Sequence, residues 1–372
     1  MGNSPAGMAR VASGERWIPY PHLLVLNQHL RKVASGEIKR LIVEMPPQHG
    51  KALSNDTPIL TLQGWKTHGD LCAGDFVFSP EGNPIKVIAS TNVFFDDTYE
   101  ITFSDGNKIV AGAHHEWKVS IDKSSGRLPE QIVETKDLFS IKQRRKPRIC
   151  LSSPPQFTDA NLPIDPYLLG VWLGDGMSNM GYIAAGPEDW KHFSSLGEAT
   201  EERPRYWRIL IRGLRTNLRK INLLKNKHIP GIYFIGSYSQ RLSLLQGLMD
   251  TDGYCATHGQ CEFTSVKINL ANDVRKLIES LGMKVTLNEG RATIRGRYIG
   301  QKYRLLFTPK KETQIFRLER KQKRLDGLLN SCARYRYIKN IKQVSRCPLK
   351  CIQVEGGMYC AGTAMIPTHN RE

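Results

Sequence analysis

Residues 46–53 read PPQHGKAL, and one position there limits what the chain can be. An apolar run, IKRLIVEM, comes first, then the turn-forming PPQHG, then Lys51. Strand, loop and lysine in that order make a cradle in which backbone N–H groups hold phosphates. The next residue of such a loop carries a hydroxyl that ligates the Mg²⁺ of the nucleotide. Ala52 has none. A nucleotide-binding reading of Gly50 and Lys51 therefore breaks off at Ala52, and the chain beyond it needs another explanation.

From residue 52 to about 150 the pattern is β. Short alternating segments (PILTL, DFVFS, IKVIAS, TYEITF, KIVAG, EWKVS) are separated by the turn signals QGW, SPEGNP and SDGN. KQRRKPR and SSPPQ mark a linker, and the stretch from about 160 to 335 is mixed α/β and strongly basic. KCIQVEGGMYCAGTAMIPTHN, near the end, is again β-like. A β domain that begins at 52, is interrupted, and resumes near 341 accounts for this order. Upstream, YPHLLVLNQHLRKVASGE has helical spacing and a stop at Gly36.

The formal net charge of +18 and pI near 9.6 point to a polyanionic partner, most often nucleic acid. No run approaches the roughly 18 apolar residues of a membrane span, and the N-terminal stretch has no apolar signal core. The eight cysteines are scattered, with no recurring CxxC pairs and no second pair at zinc spacing beside Cys347 and Cys351. A reduced, cytoplasmic, monomeric protein without membrane contact is expected.

Two segments repeat one design: LLGVWLGDG at 168–176 and LQGLMDTDG at 245–253. Each reads as a short apolar helix that closes on Asp-Gly, with a glycine (Gly170, Gly247) six residues before the last. Small residues let two helices approach closely, so both would end together with Asp175 beside Asp252. Two adjacent carboxylates repel unless a cation lies between them, which makes the pair a candidate Mg²⁺ site. Metal ions held this way suit phosphodiester hydrolysis. The bland alternative is two buried helices with C-terminal glycines. The second segment resembles the LAGLIDADG homing endonucleases at Leu245, Gly247, Leu248, Asp250, Asp252 and Gly253; the first departs from them at Leu173. The family resemblance implies an α/β endonuclease on double-stranded DNA. It also makes Lys227, in KHIP, a candidate active-site lysine, with Lys302 a weaker counterpart; for both, a plain phosphate contact is the alternative. RYWRILIRG and RATIRGRYIGQKYR would form its groove-facing sheet, and RKQKR is either phosphate contact or a solvated face.

The flanks resemble an intein. DTPILTLQGWKTHGDLCAGDFVFSPEGNPIKV is similar to the first splicing block, DGNKIVAGAHHEWKV to the second, and MIPTHN to the last. An all-β Hint (Hedgehog/intein) domain split by the endonuclease is implied. Asn370 would cyclise on its own carbonyl, with His369 polarising that bond. Position 52 cannot attack, since it is Ala, but a class 3 intein lacks that nucleophile and carries instead a Trp, a Cys and a Thr, which Trp117, Cys351 and Thr368 match. The Cys351 thiolate would attack the Lys51 carbonyl, and His115 would protonate the departing Ala52 amine. Gly112 stands where the family has Thr, His114 is the alternative to His115, and Cys347 and Cys360 compete with Cys351. Splicing would need no cofactor.

Arg371 offers no side-chain nucleophile where the acceptor is expected, so cleavage without ligation follows. Joining PPQHGK to the residues after 370 resembles the Walker A segment of phage terminase large subunits once Arg371 is read as Ser. The resulting organisation is multidomain: 1–51, an N-extein with a partial α/β P-loop ATPase fragment; 52–150, the first part of the splicing domain; 151–340, the endonuclease; 341–370, the second part; 371–372, a C-extein remnant. The target is then the intein-less host gene site. The competing reading is a terminase ATPase with a catalytically dead DNA-binding insertion.

Overall fold

The computed structural model describes residues 5–12, 21–41, 51–123, 126–127, 130–142, 146–203, 206–294, 297–310, 312–325 and 334–370. By contact the chain divides into Met1–Pro46 and Pro47–Glu372.

The first unit holds two helices, Pro5–Ala12 and Pro21–Ala34, tied by the Ala6 N–H donating to Asn27 Oδ1 at 2.9 Å. Proline opens each, where its missing N–H costs no intrahelical bond. The second stops at Gly36, whose φ of +79° suits a residue without Cβ. The expected strand IKRLIVEM is not found over Ile38–Leu41, which are irregular. Its remainder, and Gly50 of the phosphate loop, lie outside the described residues.

The second unit contains two large hydrophobic cores. One gathers residues between Ile164 and Leu325. The other gathers Leu53 to Ile149 together with Ile338 to Ile366, from both sides of the first. An antiparallel sheet explains how. Its order runs Leu349–Lys350, Leu53–Ser54, Lys108–Gly112, Thr98–Phe103, Tyr335–Val344, Pro147–Cys150, Glu116–Lys123, Ile366–His369, Met358–Ala361. Strands from before and after the insertion alternate, so neither part can complete its hydrogen bonds alone. Tyr335–Val344, for example, pairs with Thr98–Phe103 on one side and Pro147–Cys150 on the other.

The inserted core is built on two helices, Pro166–Asp175 and Tyr238–Asp252. Asp165 caps the first, its carboxylate accepting from Leu168 N–H at 2.9 Å; Ser237 and Gln240 form a capping box on the second. The helices cross at Gly170 and Gly247. A Cβ on Gly170 would run into Leu244 O, and one on Gly247 into Tyr167 O. Two smaller antiparallel sheets flank them: Tyr182–Ala185, Tyr206–Leu210 and Glu198–Arg203 in one, and Gly253–Cys255, Cys261–Ser265, Arg297–Phe307 and Val285–Ile294 in the other. No helix among the described residues is long and apolar enough to cross a membrane.

Candidate functional site

The junction at Ala52 is buried. Leu53 pairs with Lys350 and Ser54 with Leu349, so the antiparallel register carries Ala52 opposite Cys351. Ala52, Leu349 and Cys351 form a small buried cluster, with Phe94 and Cys347 packed on its edge. The Cys351 N–H donates to Thr91 Oγ1, and Thr91 N–H donates back to the Cys351 carbonyl, each at 3.0 Å. Cys360 lies in a different cluster, with Leu60, Phe78 and Met365, where burial pushes its thiol up to about 12.

His115 is fully buried beside Lys51. Burial lowers its pKa to about 3; the Lys51 backbone opposes that shift, and the charges of His369 and Lys51 add to it. Neither ring nitrogen has a partner at ordinary hydrogen-bond geometry. The imidazole is therefore neutral across the physiological range, and a proton it takes from a neighbour is one it gives up readily. His114, by contrast, faces outward and pairs with Glu134 at 3.0 Å. Trp117 packs its ring edgewise on His115, centroids 4.9 Å apart, and donates from Nε1 to Thr135 Oγ1 at 2.9 Å. Thr135 Oγ1 donates in turn to the His115 carbonyl. Where Thr was expected, Gly112 uses its backbone: its N–H donates to the Ala52 carbonyl at 2.9 Å.

At the other end, Ile366–His369 pairs with Met358–Ala361. Thr368 Oγ1 donates to the Tyr359 carbonyl at 3.2 Å. The Asn370 N–H donates to the Gly357 carbonyl at 2.6 Å, and its side-chain Nδ2 is buried without a hydrogen-bond partner among the described residues. No described hydrogen bond has to break before that amide turns toward a carbonyl. His369 Nδ1 lies 2.7 Å from Glu116 Oε2. Arg371 lies outside the described residues.

The sequence reading missed four polar groups here. Glu116 separates two motif residues; Thr91 and Thr135 are ordinary threonines; His68 opens the short 3-10 helix His68–Asp70. His68 is fully buried, with Nε2 2.9 Å from the Tyr359 hydroxyl, and burial takes its pKa to about 3.

A second constellation forms where the paired helices end. Asp175 and Asp252 terminate Pro166–Asp175 and Tyr238–Asp252. Both residues are exposed, yet protein crowds one side of each carboxyl: that partial desolvation, then the neighbouring charge of Asp252, raises the Asp175 carboxyl to about 6, and desolvation also raises Asp252. Lys227 and Lys321 pull both back. Lys227 Nζ donates to the Gly174 carbonyl at 2.9 Å, and burial lowers its pKa to about 8. Lys302 lies instead on Arg297–Phe307, near Gly290 and Glu262. In its place stands Lys321 from RKQKR, buried, with Nζ donating to the carbonyls of Met249, Asp250, Thr251 and Gly253. Neither a phosphate contact nor a solvated face describes it. Two repelling carboxylates fit a divalent cation; among the described residues no cluster of three or more His, Cys, Asp or Glu adds to them.

Residues 239–319 match the LAGLIDADG-like domain family. The LAGLIDADG-like segment thus includes Asp252 and the second helix. A replicative DNA helicase DnaB of Mycobacterium intracellulare is 33% identical over 360 residues, covering 89% of this chain and 60% of the helicase. A second DnaB, of Mycobacterium leprae, is 44% identical over 81 residues, 22% of this chain and 13% of its own length. The chain thus spans less than two thirds of either helicase. Among solved structures, the Msm DnaB1 intein splicing domain bound with zinc is 15% identical at a TM-score of 0.27, over 86% of this chain and 99% of that one. I-DmoI in complex with DNA and Ca is 17% identical, also at 0.27, over 39% and 83%. Likeness that loose places no residue. The terminase host expected from PPQHGK is not supported: the curated relatives are helicases.

Proposed function

We propose that residues 52–370 are a protein-splicing element of the type without a first-position nucleophile, carrying a LAGLIDADG-type endonuclease for double-stranded DNA. The observation that carries the splicing part is the register of Leu53 with Lys350, which sets Cys351 against Ala52. The Cys351 sulfur attacks the Lys51 carbonyl carbon and the bond to the Ala52 nitrogen breaks. A neutral His115 accepts the thiol proton and returns it to that nitrogen, so the step closes with nothing taken from solvent. Trp117 and Thr135 fix the imidazole. At the far end Asn370 Nδ2 attacks the Asn370 carbonyl, the bond to Arg371 breaks, a succinimide forms, and His369 delivers a proton to the leaving amine. Arg371 supplies no acceptor, so the chain cleaves at both junctions rather than ligating.

In the inserted core, Asp175 and Asp252 would hold a divalent cation, which we assign as Mg²⁺. A bound cation there supplies Lewis-acid activation of water and charge relief at the leaving oxygen. Lys227 holds its ammonium at the same helix ends, where it meets negative charge building on the scissile phosphate. Because one chain supplies both acid-ended helices, one copy suffices, and we expect a monomer.

Mass spectrometry of the protein incubated with a small thiol tests the splicing step. A fragment ending at Lys51 is expected, released as its thioester or hydrolysed acid, and Cys351→Ala abolishes it. Release that persists in Cys351→Ala rules out the assignment of the nucleophile.

A further inference from the structure

One carboxylate oxygen lies between the two junctions. Glu116 Oε2 is 3.1 Å from Lys51 Nζ and 2.7 Å from His369 Nδ1. Lys51 is the residue before the first scissile bond, and His369 stands next to Asn370. Strand pairing imposes this meeting: Glu116 is the register partner of His369. The three side chains are largely shielded from water, with exposures of 8%, 19% and 11% for Lys51, Glu116 and His369. A charge contact screened from water in this way is felt strongly by both partners.

We propose that Glu116 couples the junctions: while Lys51 is joined to Ala52 its ammonium shares the oxygen that orients His369, and removal of Lys51 frees Glu116 to serve His369 alone. The proposal rests on the splicing reading above and adds an order of events to it. A carboxylate accepting from Nδ1–H turns Nε2 toward the leaving amine and supports the imidazolium that gives up the proton. A competing ammonium weakens both effects. C-side cleavage is therefore held back until the N-terminal segment has left, which avoids release of Asn370 before the first junction has been opened. It also makes the element selective for a basic residue at position 51. Glu116 acts through His369 and Lys51 and is a positioning residue.

The test compares rates of C-side cleavage, read by intact mass as loss of the residues after Asn370, in the parent, Lys51→Gln, Lys51→Arg, Glu116→Gln and the Lys51→Gln/Glu116→Gln double variant. Thiol-induced release at Lys51 is followed in the same samples. Lys51→Gln is expected to speed C-side cleavage about tenfold, within the usual range for coupled sites. Lys51→Arg should stay near the parent. Glu116→Gln should slow the reaction, and in that background Lys51→Gln should add nothing. Purely structural damage at Glu116 would not remove the response to residue 51. The coupling is overturned if Lys51→Gln leaves the parent rate unchanged, or if it acts equally with Glu116 and with Gln. A parent chain that cleaves at neither junction, with or without thiol, overturns the splicing reading and the coupling with it.

Discussion

The junction around Ala52 buries two imidazoles, His68 and His115, whereas the ends of the paired helices leave two carboxylates, Asp175 and Asp252, exposed on one side but crowded by protein on the other. The same desolvation drives both, yet its consequences are opposite in sign. It makes the histidines weaker bases and so keeps them neutral. It makes the aspartates weaker acids, and each must still ionise to hold a cation. The junction can thus work with protons already in the protein. The helix ends require positive charge brought from outside, which a divalent cation would provide. Full burial serves self-contained chemistry in one region, and crowded, still accessible carboxylates leave a demand for a cation in the other.

The largest break in this contrast is expected from Lys321→Met. Lys321 is the counter-charge folded into the acidic centre, and four backbone carbonyls at the end of Tyr238–Asp252 depend on its Nζ. An apolar side chain of similar length fills the space and takes the Nζ donor from those acceptors, of which only the Met249 carbonyl is shown to keep another, the Gly253 N–H. A loss of about 3 kcal/mol or more is expected, by the cost of orphaned buried polar groups, measured as a lower denaturant midpoint.

Stability against pH sharpens the comparison with a smaller effect. Asp175 has its pKa raised from 3.8 to about 6, so ionising it opposes folding. The stabilisation of its neutral form is complete below about pH 4, fades between about pH 4 and 6, and is gone above that. Asp175→Asn should therefore gain about 1 kcal/mol at pH 8 in chelator and nothing at pH 4, the full scale of about 1.4 kcal/mol per pKa unit being cut back because water reaches and screens this exposed residue. It should also lose Mg²⁺-dependent cleavage of duplex DNA and any stabilisation by Mg²⁺. The histidines, lowered from 6.5 to about 3, contribute in the other direction. Their share is fully present above about pH 6.5 and is lost as pH falls toward 3. That acid limb should survive Asp175→Asn unchanged. An acid limb that vanished with Asp175 would mean that the two centres are not separate. Denaturant melts of parent and variant at pH 4, 6 and 8 decide it.

What the sequence revealed followed from how local each signal is. The meeting of Asp175 with Asp252 was legible because each nine-residue segment carries its own glycine and its own acid end, and the crossing at Gly170 and Gly247 needs no other information. The strand order that interleaves 335–344 with 98–103 and 147–150 was visible only as a return of β pattern after an interruption. Glu116 escaped notice because its role depends on register with a residue 253 positions away. His68 opens a three-residue 3-10 helix, and nothing in THGD signals its burial against Tyr359. The terminase host was inferred from PPQHGK and the roughly thirty residues upstream of it, a match confined to one end of the chain that a helicase aligned over 89% of it outweighs. IKRLIVEM has strand composition, yet Ile38–Leu41 are irregular. Apolar runs of this length decide little about conformation until packing does.

RKQKR shows the limit of composition most directly and sets the smallest expected effect. Lys321 and Lys323 are two residues apart on the helix Glu319–Leu325, and nothing in the pattern separates them. Two positions along a helix amount to about 200° of rotation, so the two side chains point to opposite sides. Lys321 reaches in to the carbonyls of the acid-ended helix. Lys323 pairs with Glu319 one turn back, with both side chains more than two-thirds exposed. Water screens such a pair, and ordering two long side chains offsets most of what the contact gains. Lys323→Ala should therefore leave the denaturation midpoint within error of the parent at both pH 4 and pH 8, and leave the response to Mg²⁺ intact. A shift in Mg²⁺ response would place Lys323 in the field of the carboxylates, and the division of this helix into a buried cation and a solvated one would fail.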